Sequence, residues 1–96
     1  MEIADWRERI DRINRELLDL LNRRTECARE IGEIKRSAGL PVRDAAREQE
    51  LLDALVAGNG GPLPGASVEK IFRTIIEETV AYEESMQGGK GAEAGK

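Results

Sequence analysis

Residues 3–34 read IADWRERIDRINRELLDLLNRRTECAREIGEI, and this stretch decides the fold. Its seam positions are Ile3, Trp6, Ile10, Ile13, Leu17, Leu20, Arg24, Cys27, Ile31 and Ile34, and the steps between them alternate three and four without a break. That alternation marks a helix that packs lengthwise on another helix. From Ala4 to Ser37 there is no proline, and Gly32 is the one glycine. Such a helix is a rod about 50 Å long at about 1.5 Å per residue. The remainder of a 96-residue chain cannot cover it, so a second copy must. The fold class expected is all-α: one long, one short and one medium helix per chain, in an intertwined antiparallel homodimer.

Beyond this rod, Gly39-Leu40-Pro41 ends the first helix. Asp44 is placed to cap a second helix over about Ala45–Ala57, which buries Leu51, Leu52, Leu55 and Val56. The run from Gly58 to Gly65 is a loop by composition. Ser67 can cap a third helix reaching about Met86, with Val68, Ile71, Phe72, Ile75, Ile76 and Val80 apolar. Residues 1–87 form one domain on this reading, and 88–96, GGKGAEAGK after Gln87, read as a flexible Gly-rich tail.

Composition narrows the chemistry. The chain has 15 basic and 19 acidic residues, a net charge of −4, and no histidine. No basic stripe suits nucleic acid, and three aromatics make no base-stacking platform. No apolar run spans a membrane, and the start MEIADWRERI has no signal-peptide core, so a cytoplasmic protein is expected. Cys27 stands alone, which leaves no internal disulfide, no zinc site and no Cys–His chemistry. No cofactor is implied. Any reaction must use Arg, Lys, Asp, Glu and hydroxyl groups.

Several charged residues stand where the pattern wants apolar ones. Arg24 is in the seam, and an unpaired buried guanidinium needs an anion. Lys35 follows eleven residues later, at nearly the same azimuth and about 16 Å along the axis. Two long side chains leaning together there can grip one small dianion, although a seam arginine can also simply pair with a glutamate of a partner chain. Arg7 lies 17 residues before Arg24, about 25 Å away on the same helix, too far to share a small ligand within one chain. In an antiparallel dimer Arg7 of one chain meets the Arg24–Lys35 interval of the other if the twofold axis passes near Leu17–Leu18. Taken alone, Arg7 reads as a surface residue. Glu48 aligns with Leu52 and Leu55 and so tends inward, near Asp44 and Arg47. It can also merely pair with a nearby arginine in the capping region. Thr79 and Glu83 align with Phe72 and Ile76 on the third helix. A threonine there can bond back to its own helix, whereas an inward carboxylate needs a partner or a proton.

These residues together resemble the AroQ-type chorismate mutase family. The resemblance runs from about Trp6 to Glu84, on WRERIDRINRELLDLLNRR, IGEIK, LPVRDAAREQELL and IFRTIIEETV. It implies a small helical homodimer without a cofactor, whose substrate is the dicarboxylate chorismate. It implies that Arg7 is lent across the interface, and that Arg24, Lys35, Asp44, Arg47, Glu48, Thr79 and Glu83 fill the remaining site positions. Two departures stand out: Thr79 where serine is frequent, which keeps the hydroxyl, and Glu83 where glutamine is frequent in bacteria. Some fungal members also carry glutamate at the latter position.

The reaction implied is a one-molecule Claisen rearrangement of chorismate to prephenate in aromatic amino-acid biosynthesis. By resemblance Arg24 and the partner's Arg7 bind the two carboxylates, and Lys35 binds a carboxylate and donates to the ether oxygen. Glu83, if protonated, donates from the other side. Glu48 and the Asp44 backbone hold the ring hydroxyl, while Arg47 and Thr79 brace the carboxylate side. Burial raises the pKa of Glu83 and Lys35 lowers it, and the sequence leaves that balance open. Two other readings keep the fold: an isochorismate-pyruvate lyase or aminodeoxychorismate mutase, and a non-enzymatic dimerisation or regulatory module. Another shikimate-pathway enzyme is a candidate partner.

Overall fold

The computed structural model describes the backbone of residues 1–94 and side chains as far as Gln87. Three helices follow in order: α1 Ile3–Ala38, α2 Ala45–Gly58 and α3 Gly65–Ala94. Among the described residues there is no strand. The longest dimension, 54 Å, is what 36 residues of α1 occupy.

Each boundary has a local cause. At the start of α1, the Asp5 carboxylate accepts from the Glu2 backbone N–H at 2.9 Å, one half of a capping box. At its end Gly39 adopts φ 71°, a left-handed conformation that costs glycine nothing. Its N–H reaches Arg36 O, and that of Leu40 reaches Lys35 O at 2.8 Å, so the last carbonyls of α1 are satisfied in a Schellman motif. Asp44 caps α2, its carboxylate accepting from Arg47 N at 3.0 Å. The expected cap at Ser67 is corrected. Helix α3 opens at Gly65, three residues before the start that a cap at Ser67 implies, and the Pro64 carbonyl accepts from Ser67 N and Val68 N. A proline just before a helix has its φ already set and loses no useful donor. Helix α3 also runs on to Ala94, past the predicted end near Met86. Each glycine there costs about 1 kcal/mol, but extending an existing helix adds one bond per residue fixed. The tail expected over 88–96 falls on residues whose side chains lie outside the described ones.

Helix α3 is the shared element. Leu52 of α2 packs with Ile76 and Val80 of α3, and Val42, Leu51 and Phe72 close over them. Leu52 is buried as expected; Leu51 and Leu55 are half-buried and Val56 stays exposed. Helix α1 meets α3 only in its C-terminal half, where Ala28 and Gly32 are buried. Among the described residues its N-terminal half has no neighbour. Ile3, Trp6, Ile10, Ile13, Leu17 and Leu20 remain 50–67% exposed. A contiguous apolar stripe of that length does not belong to a finished surface.

Candidate functional site

A cleft of about 500 Å³ lies where the C-terminal half of α1, the turn into α2 and the second half of α3 converge. Seven of the eight residues singled out from the sequence line it: Arg24 and Lys35 from α1, Asp44, Arg47 and Glu48 from the start of α2, Thr79 and Glu83 from α3. Arg7 is not among them; it sits on the uncovered half of α1. Ile31, Leu51, Ile76 and Val80 supply apolar walls, and Cys27 joins the lining.

The cations are set in place by neutral acceptors. Arg24 donates from Nη1 to Thr79 Oγ1 at 2.7 Å, and that hydroxyl donates in turn to Ile75 O at 2.7 Å. The back-bond to its own helix thus orients the threonine oxygen toward the guanidinium. Lys35 Nζ donates to the Val42 carbonyl at 2.6 Å. Among the described residues, no carboxylate lies in ion-pair contact with either cation. Arg47 differs, since its exposed guanidinium pairs with Glu50 at 3.3 Å.

The acids are held by partners or by burial. Asp44 is committed to the helix cap. Glu48 lines the cleft and also pairs with an arginine: Arg43 Nε donates to its Oε2 at 3.0 Å. Arg43 extends its other arm to Glu77 Oε2 at 2.7 Å. Its hydrogen bond to Glu77, then that to Glu48, raises the Arg43 pKa. Sequence reasoning missed Arg43, because it precedes the helix and no helical spacing links position 43 to 48. The pair R-D at the start of α2 was its only signal.

Glu83 is 6% exposed. Its carboxylate lies against α1 at Gly32, where a Cβ would stand 3.4 Å from Oε2. Burial raises the Glu83 pKa; Lys35 and Arg24 pull it down by less, and the net shift is upward. The cleft therefore offers two cations without carboxylate partners among the described residues, a buried acid whose pKa is raised, and the Glu48 carboxylate as an acceptor. Such a set suits a small dianion with a hydroxyl. Among the described residues there is no cluster of His, Cys, Asp and Glu able to hold a metal, and no helix long and apolar enough to cross a membrane.

Residues 6–84 match the family described as chorismate mutase type II. The chain belongs to that family. The bifunctional chorismate mutase/prephenate dehydratase of Aquifex aeolicus is 37% identical over 90 residues, which is 90% of this chain and 25% of that protein. The enzyme of the same description from Escherichia coli K12 is 36% identical over 81 residues, 83% of this chain and 21% of the relative. The chain thus spans about a quarter of the length of these curated relatives. Among solved structures, chorismate mutase form II from Thermus thermophilus superposes with a TM-score of 0.84 at 40% identity, covering 85% of this chain and 93% of that one. Form I of that mutase gives 0.79, also at 40% identity, over 80% and 96%. The type II mutase fold therefore extends through all three helices that build the cleft.

Proposed function

We propose that this chain converts chorismate to prephenate without a cofactor, as an antiparallel homodimer whose two sites each take Arg7 from the partner subunit. The observation that carries the reading is the pair Arg24 and Lys35, oriented by Thr79 and the Val42 carbonyl and lacking carboxylate partners among the described residues. The dimer is supported by the bare apolar stripe of α1. With the twofold near Leu17–Leu18, that stripe covers its own copy and Arg7 travels to the other chain's cleft.

The chemistry asks little covalent work of the protein. The substrate must be held in a compact chair-like shape while its C–O bond breaks and a C–C bond forms. A guanidinium fork binds a carboxylate at two points, which suits Arg24 and the partner's Arg7. Lys35 binds a carboxylate and donates to the ether oxygen as that oxygen gains charge. Protonated Glu83 donates to the same oxygen from the α3 side. Glu48, with the Asp44 backbone, takes the ring hydroxyl, while Arg47 and Thr79 brace the carboxylate side.

Residues 1–87 constitute the catalytic domain on this reading, 88–96 a tail, and the cytoplasm its compartment. A second shikimate-pathway enzyme as partner has one support: the curated relatives carry prephenate dehydratase on the same chain. The lyase, aminodeoxychorismate and regulatory readings are not favoured, since the relatives and solved structures are named as chorismate mutases. The test is to mix pure protein with chorismate, follow the loss of its absorbance, and identify prephenate. Pyruvate release, or an unchanged spectrum, would overturn the reading.

A further inference from the structure

We propose that Arg43 is a positioning residue that acts on the substrate through Glu48. The inference rests on the reading above, in which Glu48 accepts the ring hydroxyl. Arg43 stands in the turn between α1 and α2 and reaches two carboxylates at once, Glu48 at 3.0 Å and Glu77 at 2.7 Å. A planar guanidinium with donors in a fixed fork can do this; a lysine ammonium on a single flexible stem cannot hold both with the same geometry. The three side chains are graded from water to cleft: Glu77 is 55% exposed, Arg43 44% and Glu48 21%. The innermost is the one that lines the cleft.

Three consequences follow from that geometry. Arg43 engages Glu48 through Oε2, which leaves Oε1 as the acceptor for a hydroxyl. Its charge offsets that of Glu48, which would otherwise repel an incoming dianion. And Glu77 anchors the arginine to α3, so Glu48 is fixed against the wall that carries Thr79 and Glu83. Ion pairs this exposed contribute little to stability, so orienting Glu48 is the stronger use of the arrangement. The neighbours of Arg43 behave alike: the Val42 carbonyl holds Lys35, and the Asp44 carboxylate holds the first turn of α2. Three consecutive residues of one turn thus each set a group of the cleft.

The test is a double-mutant cycle in kcat/KM for chorismate, using the full chain, with oligomeric state and thermal midpoint measured on every variant. R43A should lower kcat/KM about ten- to hundredfold, the scale of a misplaced contact, with the dimer intact. R43K should recover part of the loss, and E77Q should show a smaller loss in the same direction. In an E48Q background, R43A should change kcat/KM by less than about twofold, because the residue it acts through is already disabled. An equal loss in both backgrounds, or wild-type kinetics in R43A, overturns the proposal. If R43A does not fold, R43K and E77Q in the two backgrounds read the same coupling. An active wild type with indifferent Arg43 variants defeats this inference alone. A wild type that leaves chorismate untouched defeats the mutase reading and this inference with it.

Discussion

Replacing Glu83 by glutamine separates donation by a protonated acid from every other role of that position. Glu83 is 6% exposed and packed against Gly32. Lys35 and Arg24 face it from α1, the Glu33–Arg36 ion pair lies along the adjoining edge, and Arg7 of the partner would join them in the dimer. Burial outweighs the cations of its own chain, and its pKa is raised. While protonated, Glu83 can donate to an oxygen that gains negative charge. Above its pKa it becomes a second anion beside a dianion. Losing one such donor costs about 3–4 kcal/mol, or about 10²–10³ in rate. As one proton is lost, kcat/KM should fall about tenfold per pH unit on the alkaline side until that loss is complete. Glu83→Gln donates at every pH, so its profile should stay level where the wild type falls. Stability follows the same proton. The folded state holds it more tightly than the unfolded chain does. Its contribution is therefore full in acid, below the unfolded carboxyl's pKa, and is lost as pH rises through the raised folded value. Urea denaturation across pH should show the glutamine variant gaining on the wild type as pH increases. A wild-type profile of kcat/KM level from acid to alkaline pH, or the same alkaline fall in Glu83→Gln, would refute the reasoning.

Leu17→Glu places two carboxylates near the proposed twofold, where Leu17 is 51% exposed on the isolated chain. Desolvating them costs several kcal/mol per ion, so sedimentation should show loss of the dimer and the assay loss of turnover; an active dimer would count against the antiparallel seam. Asp44→Ala removes the α2 cap, and urea titration should show a loss of about 1 kcal/mol that Asp44→Asn largely restores. An unchanged midpoint in the alanine variant would show that the cap contributes nothing.

Much of this fold is legible in one helix. The unbroken three–four spacing from Ile3 to Ile34 announces a rod too long for its own chain, and the structure leaves the N-terminal half of that rod bare. Arg24 declares itself because a guanidinium in a seam is a conflict that demands an explanation. Glu83 is legible for the same reason. Helix ends are less readable. Ser67 has the side chain of a cap, yet the turn set by Pro64 starts the helix first. Arg43 was hidden because its two partners lie on different helices, and contacts from a turn follow tertiary placement rather than any period in the sequence.

Sharing of each site between two subunits is tested most directly by mixing two crippled chains. Arg7→Ala and Arg24→Ala homodimers should each be nearly inactive. Unfolded together and refolded in equal amounts, they should form mixed dimers in which one site has both arginines and the other neither. About half of the dimers are then mixed, and about a quarter of wild-type activity should return, as a twofold-symmetric interface requires. Activity that stays absent after mixing, or an Arg7→Ala homodimer as active as the wild type, would contradict a site completed by the partner.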